Sequence, residues 1–438
     1  MKKKKLFVLI KIKNFFLLLL QRLWITIELF NRNGLVNHAA AGAYGFLFSA
    51  APALIIISFF VNHALVAYPE LAGDLFGDIA FLSGIVNVED LINNFLSAAN
   101  PGVAGLISGI AILWTVRLCA RSIQRGLNVI FSGSRSNPFR NTVVLLGLGF
   151  FIILFIFIML LGTKFASDFY IFPAFTFMKP FHSPVTTLPI RIFFMLWLPL
   201  MTLAAYYFVP SKSPKFKHAI AGTIVCIVFY QIFSACFGII IGPDRYNLLY
   251  GALGRLFLFL IDVYFFFSFF FFGAQMIQVF GSSAALFFIR FRAVHFLRSG
   301  GKYTRLNPSI VLRDLLFRSI PRPLEKYLRT YRQGEMVLFQ GSPGQEVYYI
   351  ISGEAGVYLD DEFRNRIALI GTAQFFGETE VITQAGRCAS IKAETDLSVM
   401  CLPPDLFRKI LRLDPDTDQN IIKALSEQIS SIDRQVNS

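Results

Sequence analysis

The sequence predicts an α-helical polytopic membrane domain of six spans, followed by a cytoplasmic β-roll with flanking helices. Of the 438 residues, 55% are hydrophobic, only 16% are charged and 50 are Phe, which is too apolar for an ordinary soluble protein. This apolar excess lies before about residue 290. Between Gln333 and Leu402 the hydrophobic period shortens towards two and Gly-rich turns appear, as the strands of a β-roll require.

Residues 1–36 are predicted to form a helix at the cytoplasmic face of the membrane. The apolar stretch Leu6–Phe30 is interrupted by four charged residues, Lys11, Lys13, Arg22 and Glu28. Such charges favour a helix that lies on the interface over one that spans. The basic start Lys2–Lys5 is also found in signal peptides, but no small-residue cleavage site follows it. We therefore expect this segment to be retained.

Six predominantly apolar stretches follow, within a membrane domain predicted to cover residues 37–285. About 20 apolar residues suffice for a helix to cross a bilayer. The first five stretches are uncharged, and the sixth contains one charge, Asp262. The predicted spans are Ala39–Phe60, Gly102–Val116, Thr142–Gly162, Ile192–Val209, Ala219–Gly242 and Leu256–Gly281.

The charges between these stretches predict that both termini lie in the cytoplasm. Val61–Ala99 carries five acidic residues and no Lys or Arg, so the positive-inside rule assigns it to the outer side. The Lys-rich loop 212–217 is predicted inside, Asp244–Leu249 is predicted as a short outer loop, and residues 286–309 are predicted as a basic juxtamembrane linker. We expect a multi-pass protein of the inner (cytoplasmic) membrane.

Six different short motifs occur one after another along these spans. They are Ala40-Ala41-Gly42-Ala43-Tyr44, Leu113-Trp114, Val209-Pro210, Ala221-Gly222, Tyr250-Gly251 and Gly273-Ala274-Gln275. In this order they resemble the YihY/BrkB family of six-span inner-membrane proteins, over roughly Asn31–Phe280. That family is described as transporters and was once labelled a ribonuclease, so the resemblance implies a fold more firmly than an activity.

The stretch Gln374–Ala393 is where residue types and spacing together specify a ligand. Gly377 lets the backbone approach closely, and N–H groups at the start of a helical turn around Thr379–Val381 suit an anion. Arg387 supplies a planar fork that matches a phosphate. Glu378, an acceptor when ionised, suits a ribose hydroxyl. These are the groups that a cyclic phosphodiester needs.

The same residues resemble the phosphate-binding cassette of the cyclic-nucleotide-binding domain family. The resemblance covers residues 310–438 and implies cAMP or cGMP as a regulatory ligand, with no cofactor and no metal. The binding residues that it implies are Phe376, Gly377, Glu378, Thr379, Glu380, Arg387, Cys388, Ala389 and Ser390. Glu380 departs from the family, which usually has a small residue there, and adds a negative charge beside the expected phosphate. A β-roll that has lost its ligand is the alternative.

Helices are predicted on both sides of the β-roll. Leu312–Leu328 has helical apolar spacing broken by two prolines, and it resembles the helical lead-in of the nucleotide-binding family. Pro404–Leu413 and Asp416–Val436 resemble its two closing helices. In the second of these, apolar residues repeat at three and four, so it is predicted to be amphipathic and to close over the ligand or pair with another subunit.

Asp262 is the charged residue of the predicted spans, and such a charge is costly inside a membrane. It predicts either a functional acid in a polar cavity or a hydrogen bond to a neighbouring helix, with Gln231 and Tyr250 as the candidate partners. No enzymatic chemistry is predicted, because the five His are scattered and neither a nucleophile elbow nor a phosphate-binding loop occurs.

Two functions remain open from the sequence. In the first, the six-span domain transports a substrate, such as a lipid or lipophilic molecule, and a cyclic nucleotide regulates it. In the second, the membrane domain is an anchor, and the C-terminal domain is a sensor or scaffold with an intact or degenerate nucleotide site. The predicted partners are the lipid bilayer and a cyclic nucleotide. Nucleic acid is not expected, and a homo-oligomer is left open.

Overall fold

The computed structural model describes residues 2–48, 121–131, 198–210, 213–240, 243–299, 308–359, 366–379, 381 and 386–414. The chain divides into two compact units. We call Thr26–Gly281 the helical unit, and Met1–Ile25 together with Ser282–Ser438 the β-roll unit. Several predicted segments lie outside the described residues: the loop Val61–Ala99, the spans Gly102–Val116 and Thr142–Gly162, and the helix Asp416–Val436.

The N-terminal segment forms one continuous helix, α1 (Lys2–Arg32). Gly34 follows with a positive φ of 61°, a conformation that Gly adopts readily, and it turns the chain after α1. Residues 35–48 are helical and contain the start of the first predicted span, and residues 198–208 are helical within the fourth.

The fifth and sixth predicted spans correspond to α2 (Phe216–Ile240) and α3 (Pro243–Gly281). Among the described residues, these two helices contain stretches long and apolar enough to cross a membrane, Phe216–Phe237 and Leu260–Gly281. Asp244–Leu249 was predicted as a loop, which was wrong, because these residues form the first turns of α3. Their location on the outer side stays a prediction. A Pro at the first helical position, as at Pro243, is preorganised for a helix.

Helix α3 lies at the centre of the packing in the helical unit. Its Phe267, Phe270 and Phe271 are buried against residues from helical segments 35–48, 121–131 and 198–208 and from α2. Gly222 of α2 faces Gly273 of α3, and a Cβ added to Gly273 would lie 2.7 Å from the carbonyl oxygen of Gly222. The two backbones therefore touch, which only small residues permit.

The C-terminal part contains two four-stranded antiparallel sheets, which confirms the predicted β-roll. The strands are β1 (Leu328–Tyr331), β2 (Met336–Leu338), β3 (Val347–Ser352), β4 (Ala355–Tyr358), β5 (Arg366–Ile370), β6 (Phe375–Phe376), β7 (Ser390–Ala393) and β8 (Leu397–Leu402). One sheet has the order β1-β8-β3-β6 and the other β2-β7-β4-β5. Strand β3 is buried on both faces, because Tyr348 and Ile350 point into the core between the sheets and Tyr349 contacts a helix.

That helix is α4 (Ser283–Ser299), and it occupies most of the predicted linker 286–309. It is followed by α5 (Pro308–Phe317) and α6 (Arg322–Glu325), and β8 is followed by α7 (Pro404–Leu413), whose bounds are those predicted. Most of α4 is buried. Its Arg298 donates two hydrogen bonds to Asp314, of 2.7 and 2.8 Å. Much of the segment predicted as a basic juxtamembrane linker is therefore helical and belongs to the β-roll unit.

Candidate functional site

The predicted cassette begins where β6 ends. Gly377 has a φ of +75°, in the left-handed region that strains other residues. A Cβ on Gly377 would lie 2.6 Å from Nη1 of Arg387, so both the backbone conformation and the space require Gly. Thr379 and Val381 are helical, as predicted for the turn that follows.

Arg387 is only 3% exposed, and its guanidinium is fixed by main-chain oxygens. Nη1 donates to the carbonyl of Gly377 at 3.2 Å, and Nη2 donates to the carbonyl of Glu346 at 2.9 Å. The guanidinium carbon lies 5.9 Å from the centre of the Tyr348 ring, within the range of a cation–π contact. Two separate parts of the chain, residues 346–348 and Gly377, thus position this cation.

Glu378 is buried as well, at 7% exposed, directly after Gly377. Acidic and basic side chains are rarely this buried unless they are paired or bind something. The structure therefore brings together Gly377, Glu378 and Arg387, the three residues on which the sequence-based prediction depended.

Other predicted binding residues contribute to the fold at this place. Phe376 is buried and stacks on Tyr348, with ring centres 4.9 Å apart and an angle of 2° between the planes. The Ser390 hydroxyl accepts a hydrogen bond of 2.9 Å from the N–H of Gln340. Cys388 is exposed, and Thr379 and Ala389 are half-buried. Glu380 lies outside the described residues.

Two residues of this site were not singled out from the sequence. Tyr348 supports both Phe376 and Arg387, and its alternation along β3 was the available signal. Glu346 contributes its carbonyl oxygen to Arg387 and its carboxylate to the Tyr348 hydroxyl, at 3.2 Å. A main-chain contribution leaves no signature in side-chain identity, so Glu346 could not have been found by motif.

Helix α4 contacts the strands that lead to the cassette. Nε2 of His295 lies 3.0 Å from the carbonyl of Ile351, so it carries the proton, and Nδ1 lies 2.9 Å from the Tyr349 hydroxyl. Burial lowers the pKa of His295, the hydrogen bond to Ile351 opposes this, and nearby Arg298 lowers it further. Arg292 of α4 lies over the ring of Phe375, at 5.4 Å. The residue immediately before Phe376 is thus packed against α4.

In the helical unit, Asp262 accepts a hydrogen bond of 2.9 Å from the Tyr230 hydroxyl. The bond joins α3 to α2, as one of the two interpretations required, but the partner is Tyr230 instead of Gln231, which is exposed. Tyr250 lies in α3, and its side chain is outside the described part. Gln275 is fully buried and accepts a hydrogen bond of 3.1 Å from Asn33.

The chain resembles known proteins in two separate parts. Residues 26–285 match the family described as Virulence factor BrkB, and residues 328–414 match the cyclic nucleotide-binding domain. A UPF0761 membrane protein of Aggregatibacter aphrophilus (strain NJ8700) is 24% identical over 253 residues, which are 57% of this chain and 88% of that protein.

The relatives of the C-terminal part match only that part of this chain. A cAMP-dependent protein kinase regulatory subunit of Colletotrichum orbiculare is 36% identical over 81 residues, which are 18% of this chain and 20% of that protein. This chain thus spans about a fifth of that relative. The crystal structure of the Thermus thermophilus catabolite activator protein is 24% identical with a TM-score of 0.24, over 30% of this chain and 60% of that one.

Proposed function

This chain belongs to the family described as Virulence factor BrkB, and from that premise we propose that it is a multi-pass inner-membrane transporter regulated by a cyclic nucleotide. The helical unit moves a lipid or lipophilic substrate. Binding of cAMP or cGMP at the cassette shifts the equilibrium between two conformations of that unit. The shift is no larger than the difference in the ligand's affinity for the two conformations. Neither of the two matched families is enzymatic.

The observation that carries the nucleotide part is the buried Arg387 beside the Gly377–Glu378 turn. Its guanidinium donates to neutral carbonyl oxygens. A phosphate forms stronger, charge-assisted hydrogen bonds with a guanidinium, so a cyclic phosphodiester competes well for it. Glu378 lies next in the chain, where its carboxylate suits the ribose.

A calorimetric titration of the full chain in detergent with cAMP and with cGMP tests this proposal. The full chain is needed because α4 is buried in the β-roll unit. We expect the wild type to bind, and Arg387→Ala to weaken binding by about 2–4 kcal/mol, because the phosphate loses its side-chain cation. The matched control is Arg408→Ala, an Arg whose ion pair with Asp405 is long, at 3.9 Å, and exposed, and it should bind like the wild type.

Two outcomes would contradict the nucleotide part. If Arg387→Ala binds as well as wild type, the ligand sits elsewhere. If the wild type binds neither nucleotide at millimolar concentration, the β-roll has lost its ligand, and regulation by cyclic nucleotides fails.

A membrane-anchored sensor or scaffold that transports nothing is the second candidate. Two observations favour it: the close contact of α2 and α3 at Gly222 and Gly273, and an apolar face of α5 that remains exposed, with Leu315 at 64%. The hydrogen bond between Asp262 and Tyr230 can likewise hold α2 to α3, although a polar group within a predicted span commonly lines a pathway.

The proposed topology places both termini in the cytoplasm, from the charges of the loops. A cysteine introduced at Asp78 in intact cells should react with an impermeant thiol reagent, and one introduced at Lys215 should react only after the cells are opened. A chain without its native cysteines serves as the control. The reverse labelling pattern would overturn the topology.

A further inference from the structure

Helix α5 exposes an apolar face that the β-roll unit leaves uncovered. Val311, Leu312 and Leu315 are 37%, 43% and 64% exposed, and positions 311 and 315 are one helical turn apart. The opposite face is docked: Leu316 and Phe317 are buried, and the Phe317 ring lies 6.1 Å from that of Phe287 in α4. The exposure is therefore a property of one face of a well-packed helix.

The segment that contains and follows this helix is rich in cations. Residues 308–332 contain six basic residues against two acidic ones, Asp314 and Glu325. Asp314 already pairs with Arg298 of α4. The five basic residues that follow α5 in this range are all exposed, namely Arg318, Arg322, Lys326, Arg329 and Arg332. The surface is thus both apolar and positively charged.

Helix α1 joins α5 and shows the same composition. The amide nitrogen of Gln21 donates a hydrogen bond of 2.6 Å to the carbonyl of Leu316, and Gln21 is buried. Towards the start of α1, Phe15 and Phe16 are exposed, as is Lys13, and the sequence begins with the four lysines Lys2–Lys5. Two helices that meet at a buried hydrogen bond therefore both expose apolar side chains beside cations.

We propose that α1 and α5 together form a surface by which the β-roll unit binds the anionic phospholipid headgroups of the bilayer. Helices that lie in a membrane interface combine a row of Lys and Arg with large apolar residues. The anionic cytoplasmic leaflet attracts such clusters. A second copy of the chain is disfavoured as the occupant, because two such positive surfaces would repel each other.

The polypeptide connects this surface directly to the helical unit. Helix α1 continues past Ile25 into the helical unit, and α4 begins two residues after α3 ends. A tethered surface meets its partner at a high effective concentration, so weak contacts suffice. The proposal does not depend on nucleotide binding, and it assigns to lipid the apolar face that would otherwise favour a protein partner.

The test places a fluorescent reporter on α5 in the full chain. Leu315→Trp is reconstituted in nanodiscs of brominated phosphatidylglycerol or brominated phosphatidylcholine, and bromine quenching of the added emission is measured. The signal of the wild type, which contains three Trp, is subtracted. The matched control is Leu369→Trp, on β5 of the same unit, where the leucine is 45% exposed.

We expect Leu315→Trp to be quenched several-fold more than Leu369→Trp in phosphatidylglycerol. Quenching should fall in phosphatidylcholine, and it should fall in phosphatidylglycerol when Arg318→Glu and Arg322→Glu are added. Equal quenching at the two positions would overturn the proposal. So would quenching that ignores both lipid charge and the charge reversal, or a Leu315→Trp emission that shifts with protein concentration and not with lipid, which would indicate a contact between copies.

Discussion

The contacts that stabilise the interior of the helical unit differ from those that stabilise the interior of the β-roll unit. In the helical unit, apolar side chains surround α2 and α3, and the specific contact is the approach of two backbones at Gly222 and Gly273. In the β-roll unit, the alternation along β3 decides which side chains enter the core and which meet α4. Because almost every residue of these helices is apolar, apolarity alone does not determine how they pack. The glycines determine where two helices can approach closely.

Among the variants that compare the two units, Gly273→Leu is expected to have the largest effect on stability. A Cβ there would lie 2.5 Å from the Tyr206 hydroxyl and 2.7 Å from the carbonyl of Gly222. Because one obstacle is backbone, the helices must separate, which should lower the free energy of unfolding by about 3 kcal/mol or more. Thermal unfolding of the full chain in detergent measures this.

The control for that variant lies on the same helix. At Gly281 the nearest atom to an added Cβ is Nδ1 of His218, at 3.8 Å, so Gly281→Ala should change the unfolding temperature little. Similar losses in the two variants would show that close backbone approach is not what holds α2 to α3.

A matched pair of Tyr→Phe variants compares hydrogen bonds in the two units. Tyr206→Phe removes a buried hydrogen bond of 2.6 Å to the carbonyl of Phe270. Phe270 lies within helix α3. We expect a loss of about 0.6 kcal/mol, the usual value for such bonds between spans. Tyr349→Phe leaves Nδ1 of His295 without its partner, and should cost about 1–2 kcal/mol. Hydrogen exchange in α3 and in β3 would report each loss, and a larger loss at Tyr206 would reverse the comparison.

The smallest effect is a pH dependence of the β-roll unit. The folded pKa of His295 is lowered from 6.5, chiefly by burial. The unfolded chain therefore binds more protons around and below pH 6.5, so stability is fully present above this pH and is lost as the pH falls. Hydrogen exchange in β3 should speed up as the pH falls from 7 to 5, beyond the intrinsic change in rate. His295→Asn should flatten this dependence, and a stability that rises on acidification would contradict the assignment.

The fold of the β-roll unit could be predicted closely because its signals are local. Gly334, Gly341, Gly353 and Gly377 all have positive φ, and Gly is the residue that permits such turns. Helix α7 coincides with its predicted bounds. Helix α4 was predicted only as a basic linker because its charges hid its helical packing, although two of its basic residues, Arg292 and Arg298, form pairs within the unit.

The helical unit was harder to predict in detail, for a physical reason. An apolar helix without polar faces does not show which way it points, and adjacent residues on a helix differ in direction by about 100°. Asp262 was expected to bond to Gln231 or Tyr250, and its partner is Tyr230. In the cassette, the residue types of Gly377, Glu378 and Arg387 predicted that they belong to one site, and their roles in binding a ligand stay a prediction, whereas the contribution of the Glu346 carbonyl could not be predicted.

The hydrogen bond between Gln21 and Leu316 joins positions 295 residues apart, and this separation orders the biosynthesis of the protein. A ribosome that adds about 5–20 residues per second needs roughly 15–60 s to travel from one position to the other. During that interval the residues of the helical unit are synthesised, and Gln21 of α1 has no acceptor at Leu316. The first residues of the β-roll unit are therefore synthesised before the helical unit, and the rest of it is synthesised afterwards. A polypeptide that ends before Leu316 lacks the acceptor of the Gln21 hydrogen bond.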